Sequence, residues 1–305
     1  MKRMWLTLRA RWLGCRGDQE RDRGCYERAE LSLRRALLVL ERARRPDDLL
    51  RVTLLNSLGM VHKYRGRYAA ATRAYRRSLR AARRLLGTEH DWIATLYHNL
   101  GGLEHEREHW IRAEVFARRG LQLRESARGA NHPDVARDLA ALGAILDGQR
   151  RYREAEALHR RALTIFERRR GEPREIAHVL GNLAACLHHQ GHTAEVAPLS
   201  ERALAMSQRL LGESHPDTAV ALANLAMIRS AQGRLTDALD HCRRATEIME
   251  ARLGPNHRMT LVCRDNFATL AGGGNEAGTL TGFDTGMGIG LRPPVGFTIP
   301  RRCPY

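Results

Sequence analysis

Residues 191–204, GHTAEVAPLSERAL, lead through LLGESHPD (210–217) to ANLAMIRSAQG (223–233), and this stretch from Gly191 to Gly233 is the unit from which the chain is built. Near-copies stand before and after it. An anchor residue fixes the register: it falls at Gly24, Gly66, Glu108, Arg150, Gly191 and Gly233, in steps of 42, 42, 42, 41 and 42. Five past each anchor stand Ala29, Ala71, Ala113, Ala155, Val196 and Ala238. Eight before the last five come Leu58, Leu100, Leu142, Leu183 and Leu225, each followed by a small residue: Gly59, Gly101, Gly143, Ala184 and Ala226. A period in this range, with large and small apolar columns in one register, specifies a solenoid. Each unit of such an array buries its faces only against its neighbours.

Within a period the pattern predicts a helix, a turn and a longer helix. The first helix, for example 49–64, carries Leu55, Leu58 and Val61 at helical spacing. The second, 68–86, ends at a glycine 21 past the anchor, at Gly87, Gly129, Gly171, Gly212 and Gly254. Glycine just past a helix end permits a left-handed cap. The strings ANHPD (130–134) and ESHPD (213–217) put proline where a helix begins and its missing N–H is no loss. Arg16 and Gly17 occupy the Leu and small columns, so residues 1–23 read as a degraded cap or a disordered arm, and residues 25–44 as a second-type helix without a well-formed partner. The array proper is expected over 24–271, about five full repeats with flanking single helices. The Gly- and Pro-rich segment 272–305 has no helical period and reads as a disordered tail.

Composition agrees with an all-α chain. Of 305 residues 43% are hydrophobic and only 5% aromatic, so the core is aliphatic. The net charge of +17 is almost entirely arginine, because Lys2 and Lys63 are the only lysines, a skew that the codon habit of a GC-rich bacterial genome produces. Six cysteines form no CxxC pair and read as reduced thiols of a cytoplasmic protein. No apolar run approaches the roughly 18 residues of a membrane span. No GxxxxGK[ST] or GxSxG motif occurs, and GMGIG in the tail lacks the flanking strand and helix of a nucleotide fingerprint. No cofactor is therefore expected.

The Leu–Gly or Leu–Ala pair, the Ala five past the turn, the RRAL string and the LGxxHPD connector together resemble tetratricopeptide repeats of the long, kinesin-light-chain type. The resemblance covers residues 24 to about 271. It implies an all-α, right-handed superhelical solenoid of antiparallel helix pairs, with first helices lining a concave groove and second helices on the convex back. It also implies a protein-interaction scaffold rather than an enzyme. Glu108 and Arg150 depart from the turn glycine, and Val196 from the small column.

The groove can then be read by column. One residue before the Leu column stand Ser57, Asn99, Ala141, Asn182, Asn224 and Asn266. Asparagine is a mediocre helix former, and its amide offers donor and acceptor together. In the resembling family this column grips the backbone of an extended peptide. Adjacent columns add His98, His105, Arg137, His178, His188 and Met227. The groove is thus expected to be polar to basic at its middle and apolar toward its end, suiting an acidic peptide with an apolar anchor.

Two other chemistries need weighing. HEREH (105–109) is a literal HExxH, the pattern of a zinc hydrolase when it lies on one helix. The register, however, puts Glu108 on a turn and parts the two histidines, so the string reads as solvated groove rim and no metal site is expected. Arg34 and Arg35, Arg76 and Arg77, Arg118 and Arg119, Arg160 and Arg161, Arg202, and Arg243 and Arg244 form an arginine ladder on the second helices. Nucleic-acid binding is its functional reading, against which the stacking aromatics of single-strand binders are scarce.

Overall fold

The computed structural model of the chain describes residues 2–43, 47–169 and 173–272. The segment from 273 onward, read above as a disordered tail, lies outside the described residues. Among the described residues there are thirteen helices and no strand. They fall into two compact units. The first holds α1 (Lys2–Asp22), α2 (Tyr26–Glu41), α3 (Asp48–Tyr64), α4 (Tyr68–Leu86), α5 (Asp91–Glu106) and α6 (Trp110–Arg128). The second holds α7 (Pro133–Gly148), α8 (Tyr152–Arg168), α9 (Pro173–His189), α10 (Thr193–Leu211), α11 (Pro216–Ala231), α12 (Leu235–Leu253) and α13 (Arg258–Ala271). In each unit odd-numbered helices pair with the next even-numbered one, and α13 packs on α12.

Within the segment 1–23, read as a degraded cap or a disordered arm, Lys2–Asp22 form the 21-residue helix α1, which supplies α2 with the partner that sequence pattern denied it. Arg16 misled the reading. The neighbouring Gly17 fills the small column, where a Cβ would lie 2.7 Å from Leu33 Cγ, and Ala10 and Leu13 bury against Leu33, Leu50 and Leu54.

Every anchor residue has positive φ: 78° at Gly24, 68° at Gly66, 79° at Gly191 and 74° at Gly233, and also 59° at Glu108 and 61° at Arg150. At each one the following residue donates its N–H back to the carbonyl five positions earlier, as Arg67 does to His62 (2.8 Å), His109 to Glu104 (2.9 Å) and Arg151 to Leu146 (2.9 Å). This closes the last turn of the first helix as a Schellman motif. Gly87, Gly129, Gly212 and Gly254, which end second helices, also have positive φ but pair it with extended ψ, 178° at Gly87 and 165° at Gly212. That is the region only glycine enters freely, rather than the left-handed cap expected from sequence.

Histidine caps the first helices from the connector. His90, His132, His215 and His257 each accept, through Nδ1, the backbone N–H two residues on, at 3.0–3.2 Å. In HPD the imidazole thus satisfies an orphan donor, Pro occupies the first turn, and Asp faces the helix N-terminus.

The core is made by size complementarity between the small column and the residue nine past the anchor. A Cβ on Gly59 would meet Tyr75 Cε1 at 2.5 Å, and one on Gly143 would meet His159 Cε1 at 2.6 Å. Where the small residue is Ala226 its opposite number in the same cluster is the smaller Cys242.

Candidate peptide-binding face

The asparagine column does not behave as one set. In the first unit Asn99 is 5% exposed and donates Nδ2–H to Asn56 Oδ1 at 2.7 Å, so its amide joins α5 to α3. In the second unit the residue matching Asn56 is Gly181, which has no side chain to accept. Asn224 Nδ2 lies 3.8 Å from the point a Gly181 Cβ would occupy. Among the described residues neither Asn182 nor Asn224 makes a side-chain hydrogen bond. Asn182 is buried at 9% exposure, and Asn224 and Met227 are half-buried.

Sequence reading missed the acids that answer the basic columns. Arg137 Nε donates to Glu175 Oε1 at 3.2 Å and its terminal nitrogen to Asp134. His178 Nε2 stands 3.2 Å from Asp217 Oδ2, which also accepts from Arg174 Nε at 2.8 Å. Asp134, Glu175 and Asp217 all lie sixteen before their anchors, and Arg137 and His178 thirteen before theirs. Base and next-repeat acid therefore meet at two successive steps in the second unit. That recurrence was the available signal. The middle of the face is consequently a zipped ion-pair ladder and not an open basic strip, with Asp217 only 5% exposed. At α9, Arg174 and His178 share the one carboxylate of Asp217.

The remaining predicted residues are placed as follows. His98 is buried at 4% exposure within the first unit. His188 is half-buried on α9, where burial first and its neighbour His189 second hold its pKa below the ordinary imidazole value. His189 Nδ1 is 3.9 Å from the buried carboxylate of Asp147.

HEREH is divided by the fold. His105 ends in α5, Glu108 takes the left-handed turn, and His109 caps α6. His109 Nδ1 contacts Glu104 Oε2 at 2.7 Å, while His105 packs edge-on against Trp110, ring centroids 5.1 Å apart. The two imidazoles serve different neighbours. His105 is also 1% exposed, which corrects the expectation of a solvated rim. Among the described residues no group of three His, Cys, Asp or Glu side chains could hold a metal ion.

The arginine ladder is largely matched by acids. Arg118 pairs with Glu114 and Arg119 with Glu89, both at 2.7 Å; Arg160 reaches Glu195 and Arg202 reaches Glu167, both at 2.9 Å; Arg244 meets Glu213 at 3.0 Å. Such pairs cancel much of the field that would draw a nucleic acid. No described helix is long and apolar enough to cross a membrane.

Comparison with known proteins follows the same register. No curated protein matches the chain in sequence. Solved structures match in fold. BtubC (BKLC) from P. vanneervenii shares 24% identity, with TM-score 0.56, over 78% of this chain and 94% of that one. A putative kinesin light chain from Podosopora anserina with nearly identical TPR-like repeats shares 16%, TM-score 0.53, over 66% and 95%. A Rap protein complexed with Competence and Sporulation Factor shares 14%, TM-score 0.58, over 80% and 73%. The tetratricopeptide-repeat family model matches residues 8–84, 52–126, 92–168, 175–251 and 221–276, taking in most of α1 as well as the array read from sequence. The chain belongs to the tetratricopeptide-repeat family, with repeats like those of kinesin light chains.

Proposed function

We propose that the chain is a non-enzymatic protein-interaction scaffold that takes an extended peptide along the first-helix face of α9 and α11. The observation that carries this is the difference between asparagines: Asn99 is spent on Asn56, whereas Asn182 and Asn224 stand without a side-chain partner among the described residues. A peptide backbone supplies the alternating donors and acceptors that two such amides need. Met227 and Ala185, both half-buried, provide an apolar seat beside them. Arg174 on α9 supplies a positive charge that favours a carboxylate on the ligand. The cytoplasm suits a chain that uses Cys186, Cys242 and Cys263 as buried core residues.

Selection from a randomised peptide library on the purified chain tests the reading. Selected peptides are expected to combine an acidic stretch with an apolar anchor, and Asn182→Ala with Asn224→Ala to weaken them about tenfold or more. Selection without either preference, or affinity unchanged in the double variant, rejects it.

A further inference from the structure

The outer face of α1 carries large apolar side chains that nothing among the described residues of the first unit covers. Met4 is 67% exposed, Trp5 56%, Leu8 53% and Trp12 53%; on α2, Leu31 and Leu38 are 51% and 58% exposed. Trp12 and Arg28 line one cleft of about 420 Å³ between the two helices, which joins their exposed residues into a single face. Six such side chains at roughly 100 Å² apiece amount to about 600 Å², the upper end for the largest apolar patch of a monomer.

The register shows what kind of surface this is. Leu8 and Trp12 lie sixteen and twelve before the anchor Gly24. The same columns in α3 and α5 hold Leu50 and Leu54, and Trp92 and Leu96, none more than 5% exposed, each pair buried against the helix pair before it. The outer face of α1 is therefore shaped to receive another helix.

We propose that the helix it receives is α1 of a second copy, in a twofold-symmetric dimer. Trp5 and Trp12 lie at equal distances on either side of the midpoint between Leu8 and Arg9. An antiparallel pairing about an axis at that midpoint sets Trp5 of each chain against Trp12 of the partner subunit, with the two Leu8 side chains meeting near the axis. Such a self-complementary patch is what a twofold interface requires. About 600 Å² of apolar surface, with the flanking arginine stems, approaches the roughly 800 Å² per partner of a standard interface. Charge is arranged to permit it. Arg11 is held by Asp47 at 2.8 Å and Arg16 by Glu20 at 2.9 Å, while the Arg9 and Arg16 guanidinium carbons lie 5.0 and 5.7 Å from the Trp5 and Trp12 ring centroids. Arg9 remains the cation that two copies bring together at the axis, so added salt should tighten the dimer by screening it.

Sedimentation equilibrium of the full chain decides the matter. At about 20 µM and moderate salt the expected mass is twice 34.5 kDa. Leu8→Glu and Trp12→Glu, each shown folded by circular dichroism, should raise the dimer Kd by about 100-fold or more. A single-chain mass overturns the proposal, as does a dimer indifferent to both substitutions or one that loosens as salt rises. Monomers that bind anionic vesicles through Trp5 and Trp12 would overturn it too, by assigning the face to a lipid surface.

Discussion

The imidazole of His159 occupies the space that Gly143 leaves open: a Cβ on Gly143 would lie 2.6 Å from Cε1 and 2.8 Å from Nε2 of the ring. Both partners are buried, and neither ring nitrogen of His159 has a hydrogen-bond partner. The histidine is there for its volume. Gly143→Ala alone is expected to destabilise by about 1–3 kcal/mol through overpacking. Adding His159→Ser should restore most of that loss, because Ser200 stands opposite Ala184 in the same register. Urea unfolding of both single variants and the double variant measures the coupling; strictly additive losses would refute the pairing.

Burial pushes His159 down to about 4. The unfolded chain takes up a proton near pH 6.5 that the folded chain refuses until about pH 4, so stability is complete above 6.5 and declines as pH falls through that window. Burial also lowers His62, His188 and His241, which act in the same direction. Between pH 7.5 and 5 the His159 share is about 2 kcal/mol. His159→Leu, copying the Leu33 and Gly17 pair, should flatten the pH profile of the urea midpoint by that amount.

Glu108 and Arg150 hold the left-handed turn that four other anchors give to glycine. Both are exposed, so little packing is lost on truncation. Glu108→Gly and Arg150→Gly should each stabilise by up to about 1 kcal/mol, the left-handed penalty of a side chain less the extra chain entropy of glycine. Gly66→Ala should cost a similar amount. Chemical denaturation midpoints check the three signs.

Asp91 binds Arg124, whose side chain is 2% exposed, at 2.8 Å and Arg128 at 2.6 Å. Burial works against its ionised form, but hydrogen bonds from Arg128 and the charge of Arg124 prevail and hold its pKa below the ordinary carboxylate value. The stability it lends is present above that ordinary value and is lost as pH falls through the folded one. Asp91→Ala leaves a buried guanidinium short of its carboxylate and should cost about 3–5 kcal/mol, whereas adding Arg124→Met should recover much of it.

Asn99→Ala removes a buried hydrogen bond between two amides and leaves Asn56 Oδ1 without its donor. A loss of about 1–3 kcal/mol is expected, with no change in affinity for a peptide selected on the second unit. Asn224→Ala should do the opposite, weakening the peptide while leaving the unfolding midpoint within about 0.5 kcal/mol.

The sequence by itself determined the period, the all-α pairing and the ends of the helices: residues 68–86 were expected as a second helix, and α4 spans Tyr68–Leu86. These features are legible because they follow from local rules repeated six times: apolar spacing, proline at a helix start and glycine at positive φ. It also parted the histidines of HEREH, since a turn at Glu108 is a local event. Only tertiary structure decided the state of each groove residue. Asn99 and Asn224 share a column, yet one is bonded and the other is not, because the residue facing it 43 positions earlier is Asn56 in one case and Gly181 in the other. Arg137 and His178 read as basic until the next repeat brings Glu175 and Asp217 against them. Gly17 likewise reveals α1 as a repeat helix only through its contact with Leu33. Backbone conformation is written within a few residues, whereas the partner of a polar side chain is chosen by whichever neighbour the stacking delivers, and that pairing sets its charge, its burial and its freedom to bind.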